Sequence, residues 1–334
     1  MTIKDISAQT GYSVGTVSRV LNNQPNVSEK AREVILKAAE ESGFQLNANA
    51  KQLKQSHSNS VLVVVRGTAN EMFSSIMEII QARIATTNHQ LIVDYIDENN
   101  NEVSRAMQLC REKKPLGILF LGGNREHFQN GFERIGVPCV LVTSDASGLE
   151  YQNLSSVTTD DTLAAKTAVE QLVTMGHRKI VVIGGHREDS GVAYLRYKGC
   201  LEAFRKHHIE FDEVLDYESV RFSFEDGYRA VRNLLARGRE FSAIFAMSDV
   251  MAIGAIRALR DAGMKVPEDV SVMGFDGLAV GQYTVPTLST IRQSVEAMAQ
   301  RSVDILLENI AQARPARYEH IPFWVELRES TERK

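Results

Sequence analysis

Cysteine is scarce in this chain of 334 residues, and its positions are scattered. The three cysteines, Cys110, Cys139 and Cys200, have no metal-binding spacing and form no disulfide framework. We therefore expect buried free thiols in a reducing compartment. No apolar run is long enough to span a membrane, and the first residues are typical of a polar helix, with no signal peptide. The chain is predicted to be cytoplasmic, with no membrane partner.

The sequence also lacks the motifs of catalysis and cofactor binding. Gly122-Gly123 and Gly184-Gly185 follow apolar runs but form neither a phosphate loop nor GxGxxG. The eight histidines include no HExxH motif, and no serine lies in a GxSxG turn. We therefore predict that the protein is not an enzyme and that it has no catalytic residue, metal or cofactor.

Charge of one sign does not dominate, because the net charge is −4. Residues 1–60 hold seven Lys/Arg and five Asp/Glu, which leaves about +2 on this segment and about −6 on the rest. A mildly basic segment on an acidic chain fits local contact with DNA and excludes a protein that coats nucleic acid along its whole length. The chain length predicts two or three domains.

Residues 2–23 can be divided at Gly11 into two short amphipathic helices. Gly11 suits a left-handed residue at the end of the first helix, and the Ser13 hydroxyl can cap the second. Apolar positions recur at helical spacing, with Ile3, Ile6 and Thr10 in the first helix and Val17, Val20 and Leu21 in the second. Two such helices form a helix-turn-helix, whose second helix fits the DNA major groove. The alternative is a helical hairpin with a solvated polar face.

A third helix is predicted from a cap at Ser28 to an end at Gly43. Its apolar positions recur at spacings of three and four, at Ala31, Val34, Ile35, Ala38 and Ala39. The polar residues 45–60 predict a linker with one potentially helical piece over 47–55. A helix this short is marginal in water by itself.

From residue 61 short apolar runs alternate with helical stretches. The first runs are 61–65, 91–95, 117–121 and 139–143, with helices near 70–87, 100–113 and 125–135. Later runs are 179–185, 243–247 and 270–275, with helices near 161–175, 192–208, 224–237 and 249–262. Such strands form parallel sheets covered on both faces. Two such sheets predict two lobes with a cleft at the carboxyl ends of their strands.

The last 47 residues hold too little for another domain, as the count from 288 to 334 shows. They contain a short run at 288–291, an amphipathic helix at about 295–310 and a second run at 321–327. These pieces are predicted to complete the two sheets, which requires three crossings between the lobes and provides a hinge.

These features together resemble the LacI/GalR family of bacterial transcription regulators. In the first segment the similar motifs are Thr2-Ile-Lys-Asp-Ile6, Gly11-Tyr-Ser13, Gly15-Thr-Val-Ser-Arg-Val-Leu-Asn22, Val27-Ser28 and Ile35-Leu-Lys-Ala-Ala39. Later similar motifs are Gly176-His-Arg-Lys-Ile180, Ala243-Ile-Phe245, Ser248-Asp-Val-Met-Ala-Ile-Gly254, Val266-Pro-Glu-Asp-Val-Ser-Val-Met-Gly-Phe-Asp276 and Pro286-Thr-Leu-Ser-Thr-Ile-Arg-Gln293. Each motif is weak alone, but the ordered set is strong and covers nearly the whole chain.

The resemblance implies an all-α helix-turn-helix head on a two-lobed α/β body like that of periplasmic sugar-binding proteins, with two parallel doubly wound sheets and three crossovers. The expected divisions are a head at 1–45 and a hinge helix and linker at 46–60. The first lobe is expected at 61–160 with about 292–319, and the second at 161–291 with about 320–330. The resemblance also implies a homodimer that binds a near-palindromic double-stranded DNA operator, and a small polar effector, which we expect to be a sugar or sugar derivative.

Eight positions in the head and hinge are candidates for DNA contact. Two of them, Val14 and Gly15, stand at the family's specificity positions. Thr16 and Ser18 suit phosphate contacts, and Arg19 suits a guanine edge. Val14 can contact a thymine methyl group, whereas Gly15 has no side chain and would instead allow close backbone approach. Asn22 is a further candidate, or else a helix end.

In the linker, Leu53 matches the leucine that the family inserts into the minor groove at the operator centre. An ordinary linker leucine is the alternative. Lys51, a further DNA-contact candidate, stands where arginine is common in the family, and Leu46 stands where proline is common. The entry to this hinge is therefore less rigid than usual.

Seven positions are candidates for effector contact: Phe73, Ser144, Arg196, Phe222, Ser248, Asp249 and Asp276. Asp276 follows a strand at its carboxyl end, where a ligand would lie. By resemblance Arg196 is the ligand-clamping arginine, and a guanidinium and a carboxylate together can bind hydroxyl groups. Thr143 and Asp145, which flank Ser144, could add hydrogen bonds.

The other effector candidates have open alternatives. By resemblance Phe73 and Phe222 are aromatic walls, but core packing would explain them equally well. Ser248-Asp249 occupies the family's Asn-Asp site, although Asp249 could instead cap a helix. Val192 and Tyr194 stand where many sugar binders have serine and arginine, which puts a simple hexose in doubt.

We predict a ligand-controlled transcription regulator, and expect it to be a repressor. Two other classes share part of the pattern. A transport-type solute-binding protein would share the body, but it needs an export signal and would have no helix-turn-helix. An α/β enzyme would need a nucleophile or a cofactor loop in the cleft.

Overall fold

The computed structural model describes residues 2–21, 25, 27–42, 58–67, 70–187 and 191–334. The chain divides into two compact units, Met1–Ser58 and Asn59–Lys334, which we call the head and the body. The DNA-contact candidates Asn22, Lys51 and Leu53 lie outside the described residues, as does the predicted helix end at Gly43.

The described part of the head contains three helices, α1 (Ile3–Thr10), α2 (Val14–Leu21) and α3 (Glu29–Glu41). Gly11 ends α1 with φ 73°, and its N–H donates to the Ser7 carbonyl. The Ser13 hydroxyl accepts a hydrogen bond from the Thr16 N–H at 3.2 Å. The Ser28 hydroxyl likewise accepts one from the Ala31 N–H at 3.4 Å, so the predicted caps are present.

A small apolar cluster holds these helices together. Its buried members are Ile6, Val17, Val20, Ile35, Ala38 and Ala39. Val34 does not join it and stays 41% exposed, contrary to the inward stripe predicted for α3. A core this small accepts only a narrow stripe of each helix, and Val34 lies beside that stripe.

The body contains two six-stranded sheets with helices on both faces. In chain order the strands are β1 (Ser60–Arg66), β2 (Gln90–Ile96), β3 (Gly117–Leu121), β4 (Cys139–Val142), β5 (Leu154–Thr158), β6 (Ile180–Gly184), β7 (Tyr217–Ser219), β8 (Ala243–Ala246), β9 (Ser271–Asp276), β10 (Ser289–Gln293), β11 (Tyr318–His320) and β12 (Phe323–Glu326). The N-lobe sheet has the order β2-β1-β3-β4-β5-β11, and the C-lobe sheet has the order β7-β6-β8-β9-β10-β12.

Eight α-helices of the described body cover these sheets. They are α4 (Glu71–Ala85), α5 (Glu102–Lys113), α6 (Arg125–Gln129), α7 (Asp161–Thr174), α8 (Val192–Lys206), α9 (Phe224–Ala236), α10 (Asp249–Asp261) and α11 (Val295–Ala311). Side chains of α4 and α11 pack on one face of the N-lobe sheet, and those of α5 and α6 on the other. In the C-lobe, α7 and α8 cover one face and α9 and α10 the other. The predicted parallel sheets with helices on both faces are confirmed.

Three details differ from the prediction. Strands β5, β7 and β11 were missed because they are short or polar; β5, for instance, buries Ser155 and Ser156. The helix predicted over 125–135 ends at Gln129 and is followed by a separate 3₁₀ turn, Phe132–Arg134, after Gly131 with φ 134°. Strand β12 runs antiparallel to β10. The link from β11 is short, so β12 begins beside the residue at which β10 ends.

Three chain segments cross between the lobes, and hydrogen bonds tie them together. They follow β5, β10 and β11. The Ile321 N–H donates to the Thr158 carbonyl at 2.7 Å, and the Thr159 hydroxyl donates to Gln293 Oε1 at 2.7 Å. The crossings therefore form one connected hinge beside the carboxyl ends of both sheets.

Candidate functional site

Helix α2 carries most of the predicted DNA-contact residues of the described head. Val14 is 45% exposed, and Arg19 is also exposed, whereas Thr16 and Ser18 are half-buried. The Thr16 hydroxyl lies 2.9 Å from the Ser13 hydroxyl, so it already has a partner within the cap. Around Gly15 the head is open, because an added Cβ would find only Ser13 Oγ, at 3.8 Å. Packing within the head therefore does not require a glycine there.

A cleft of about 470 Å³ lies between the two lobes. Five of the seven predicted effector residues line it: Phe73, Ser144, Arg196, Phe222 and Asp276. The volume lies within the usual range for small-molecule sites. Residues from chain segments far apart in sequence therefore share one concave surface.

Arg196, on α8, is the central cation of the C-lobe side. It is 5% exposed, and its Nε donates to Asp161 Oδ1 at 2.8 Å while its Nη1 donates to the Met247 carbonyl at 2.5 Å. Nη1 also lies 3.8 Å from Asp276 Oδ1. The guanidinium carbon stands 3.6 Å from the centre of the Phe275 ring. Packing and two carboxylates thus fix the guanidinium in one orientation.

Asp276 ends β9 with φ 120°, a left-handed conformation that is costly for a residue with a side chain. Its Oδ1 accepts a hydrogen bond from Gln293 Nε2 at 2.8 Å. Burial raises the pKa of Asp276 to about 6, although Arg196 and Gln293 oppose the rise. Burial also raises the pKa of Asp161 against the effect of Arg196. One guanidinium thus lowers the pKa of two carboxylates whose pKa burial raises.

Ser248 and Asp249, the other two predicted effector residues, lie outside the lining of the cleft. Ser248 is 2% exposed and its hydroxyl accepts the Met251 N–H at 3.3 Å, which caps α10. Asp249 is fully buried. Its two carboxylate oxygens accept the Leu278 N–H and the Thr290 hydroxyl, each at 2.6 Å. Both residues therefore hold the C-lobe loops together.

The aromatic candidates combine core packing with a position on the cleft wall. Phe73 lies in the first turn of α4 and is 8% exposed. A Cβ added at Gly122 would lie 3.0 Å from its ring. Phe222 is half-buried over Gly185, where an added Cβ would lie 2.8 Å from its ring. Each ring thus packs closely on a glycine. Phe73 and Phe222 therefore pack against the protein and also line the cleft, so core packing and a role as aromatic walls are compatible.

The residues beside Ser144 divide between the cleft and the loop. Ser144 and Thr143 line the cleft and are buried, Thr143 with φ 71°. Asp145 instead binds its own loop, since its Oδ1 accepts the Ser147 N–H at 2.8 Å. Asp145 therefore stabilises the turn after β4.

The N-lobe side contains a buried charged network that the sequence reasoning missed. Glu102, the first residue of α5, is fully buried. It accepts the Asn124 N–H at 2.6 Å and lies 2.7 Å from His127 Nδ1. Arg66, which lines the cleft at the end of β1, places its Nε 3.6 Å from Glu102 Oε2. In the N-lobe a buried carboxylate, Glu102, therefore stands beside the arginine that lines the cleft, Arg66.

The two lobes also contact each other through an ion pair of cleft-lining residues. Glu98, just after β2, forms an ion pair with Arg221, on the loop after β7, with Oε1 and Nε 2.8 Å apart. The side chains remain 42% and 57% exposed. Arg66, Glu98 and Arg221 all follow or end strands, so the carboxyl-end rule could have found them.

Within the described ranges, no group of three His, Cys, Asp or Glu side chains could hold a metal ion. The same part of the chain contains no helix both long and apolar enough to cross a membrane.

Comparison with known proteins identifies the family. Residues 2–47 match the family described as bacterial regulatory proteins, lacI family, and residues 133–331 match the periplasmic binding protein-like domain. The HTH-type transcriptional regulator MalR of Clostridium butyricum is 35% identical over 93% of each chain. The HTH-type transcriptional repressor CytR of Escherichia coli K12 is 32% identical over 92% of this chain and 89% of its own.

Solved structures agree with this assignment. The lac repressor dimer bound to operator and the anti-inducer ONPF superimposes with a TM-score of 0.79, at 25% identity over 99% of each chain. The complex of the transcriptional regulator CelR with cellobiose gives a TM-score of 0.73, at 26% identity over 99% of each chain. The similar curated proteins are transcription regulators and not enzymes, as the sequence predicted. The chain therefore belongs to the LacI family of bacterial regulatory proteins and is a DNA-binding transcription regulator with a helix-turn-helix head and a periplasmic binding protein-like body.

Proposed function

We propose that this regulator is a cytoplasmic repressor that binds a near-palindromic operator as a homodimer. A small hydroxylated molecule, a sugar or sugar derivative, controls it by binding in the cleft between the lobes. The observation that carries the proposal is the fixed pair of Arg196 and Asp276 on the wall of that cleft. A guanidinium donates to hydroxyl oxygens and a carboxylate accepts from hydroxyl hydrogens, so together they suit a polyhydroxylated ligand. The division into head, hinge and two lobes at the boundaries given above is part of the proposal.

The DNA contacts that we propose come from α2 and the hinge. Arg19 reads a guanine edge, Val14 contacts a thymine methyl group, and Thr16 and Ser18 bind phosphates. The open space around Gly15 supports close approach of the helix backbone to DNA. We assign Asn22 and Lys51 to backbone contacts and Leu53 to the minor-groove wedge.

Exposed apolar side chains on the body support a dimer. Tyr283 is 83% exposed and Val285 is 79% exposed, two positions apart on the loop before β10. Large apolar side chains this exposed favour contact with a second surface. The related lac repressor is a dimer in its complex with operator.

The proposed mechanism is rotation of one lobe against the other about the three crossings. Effector binding changes the closure of the cleft, which alters the spacing of the two hinge helices across the dimer. Because such short helices do not persist without mutual packing, they melt and release the operator.

Selection from random duplex DNA by the full-length protein tests the proposal. We expect near-palindromic sequences to be enriched, and Arg19→Ala to weaken their binding by about 1–3 kcal/mol while leaving non-specific binding nearly unchanged. Leu53→Ala should likewise lose selected DNA more than random DNA. Equal loss on both DNAs would contradict the contact assignments, and no enrichment by the wild type would contradict operator binding.

A further inference from the structure

The charged groups on the cleft wall are unequal in number. The lining contains five carboxylates and three guanidinium groups, namely Asp97, Glu98, Glu225, Asp226 and Asp276, and Arg66, Arg196 and Arg221. An excess of carboxylates produces a negative potential inside a concave site, where the low-dielectric walls strengthen it.

Each guanidinium of this lining already faces a carboxylate. Arg196 donates to Asp161 and lies 3.8 Å from Asp276. Arg221 pairs with Glu98 at 2.8 Å. A ligand anion would therefore have to compete with a carboxylate for either of these two cations.

Arg66 is the remaining candidate for an anion site. Its charge is neutralised by a carboxylate buried beneath the cleft wall. Glu102 lies 3.6 Å from its Nε and cannot swing away, because Glu102 is fully buried and also holds the Asn124 N–H and His127. The terminal nitrogens of Arg66 can still donate to an uncharged oxygen. Arg66 thus offers hydrogen bonds without a net positive charge.

Two lining carboxylates have no such compensation. Among the ion pairs of the described residues, none includes Asp97 or Glu225. Among the described residues, only Asn99, in the same turn, donates to the Asp97 carboxylate, at 2.8 and 2.9 Å. A phosphate or carboxylate that entered the cleft would lose hydration, meet these charges and gain no free cation.

Building on the function proposed above, we infer that the effector is an uncharged polyhydroxylated molecule and that the cleft rejects its phosphorylated and carboxylated forms. Hydroxyl hydrogens donate to the carboxylates, hydroxyl oxygens accept from Arg66 and Arg196, and Phe73 and Phe222 cover apolar faces of the ligand. Specificity against anions comes from repulsion as well as from missing partners.

Matched ligand sets test this inference on the full-length protein. The sets are glucose with glucose 6-phosphate and glucuronate, ribose with ribose 5-phosphate, cellobiose with its 6-phosphate, and cytidine with its monophosphate. Calorimetric titration at about 20 mM salt, where charge effects are least screened, measures affinity, and fluorescence anisotropy measures operator release. In every set whose parent binds, we expect the anionic form to bind at least about tenfold more weakly, because the carboxylates of the cleft repel a like charge.

The outcomes separate the inference from the proposed function. An anionic form that binds more tightly than its parent overturns the inference and leaves effector control intact. If no member of any set binds or changes operator release, the proposed control by a sugar-like effector is overturned together with the inference.

A substitution that removes one negative charge from the cleft tests whether the carboxylates cause the discrimination against anions. Glu225→Gln should raise the affinity ratio of phosphorylated form to parent by about threefold at low salt, less at high salt. Glu210→Gln is the matched control, because Glu210 is exposed on the C-lobe outside the cleft lining, and it should leave the ratio unchanged. Equal ratios in both variants would overturn the electrostatic explanation.

Discussion

The N-lobe and the C-lobe have the same strand order, yet the charges buried at their cleft edges are arranged in opposite senses. In the C-lobe a cation, Arg196, lies between the carboxylates of Asp161 and Asp276. In the N-lobe an anion, Glu102, lies among the donors of Asn124, His127 and Arg66. Arg196 lies on α8, the helix after the first strand of its lobe, whereas Glu102 lies on α5, the helix after the second strand of its lobe. The same strand order therefore fixes neither the position nor the sign of the buried charged centre.

The two centres also differ in their access to water. The side chains of Arg196 and Asp161 are 6% and 3% exposed, so neither can be solvated in place of its partner. Around Glu102, the partner side chains of Arg66 and His127 are 24% and 22% exposed. Loss of the central residue should therefore cost more in the C-lobe than in the N-lobe.

The largest effect is expected from Arg196→Met, which keeps the side-chain length and removes the charge. It leaves two buried carboxylates without a counter-charge, so the free energy of unfolding of the body should fall by about 3–5 kcal/mol. Urea unfolding of the full-length protein measures the loss. Arg205→Met on the same helix is the control, because Arg205 is exposed; a similar loss in both variants would contradict the role of Arg196.

In the N-lobe, Glu102→Gln should have a smaller effect, about 1–3 kcal/mol, because it weakens hydrogen bonds whose donors can reach water. The measurement is again urea unfolding. Glu112→Gln is the control, since Glu112 is an exposed residue of the same helix. A loss as large as that of Arg196→Met would break the contrast between the lobes.

The C-lobe centre should respond to pH between 7 and 5. Burial raises the pKa of Asp276 to about 6, above the value near 4 expected in the unfolded chain. The native state then binds the proton more readily, so this group's contribution to stability falls as pH rises through 6 and is restored as pH falls toward 4. Arg196, Gln293 and Asp161 are the groups that set this pKa.

The Asp276→Asn variant isolates this response from other groups, such as His177, whose pKa burial lowers. The unfolding free energy of the wild type minus that of Asp276→Asn should increase by about 1 kcal/mol from pH 7 to pH 5. A difference that is constant, or that decreases, would show that Asp276 is ionised throughout.

The ion pair that joins the lobes should contribute least. Because Glu98 and Arg221 are both about half exposed, their coupling energy should be at most about 1 kcal/mol and should shrink with salt. A double-mutant cycle of Glu98→Gln and Arg221→Gln, measured by urea unfolding at 20 and 500 mM salt, gives this energy. A larger, salt-independent coupling would mean that the lobes depend on this contact.

The same contrast explains which cleft residues could be predicted. Arg196 and Asp276 lie in motifs that the family shares, so the C-lobe wall was accessible from the sequence. Arg66 and Glu102 occur in ordinary strand and helix contexts, and the parallel pairing of β1 with β2 brings the end of β1 and the segment after β2 to one edge. The motif that assigns Ser248 and Asp249 to the effector stands at a helix start, and such a motif does not tell whether its side chains face a ligand or the loops behind it. In the structure they bind Met251, Leu278 and Thr290, and their effector contact stays a prediction.

By itself the sequence determined the three-helix head, the two parallel α/β lobes and the number of crossings between them. These features follow from local hydrophobic periodicity, helix caps and the order of elements, all of which are written in neighbouring residues. Tertiary structure alone decided which charged side chains share the cleft and which are neutralised from behind, as Glu102 neutralises Arg66. Such pairings join residues from separate strands and helices, and the burial that sets their energies exists only after the two sheets have formed and met.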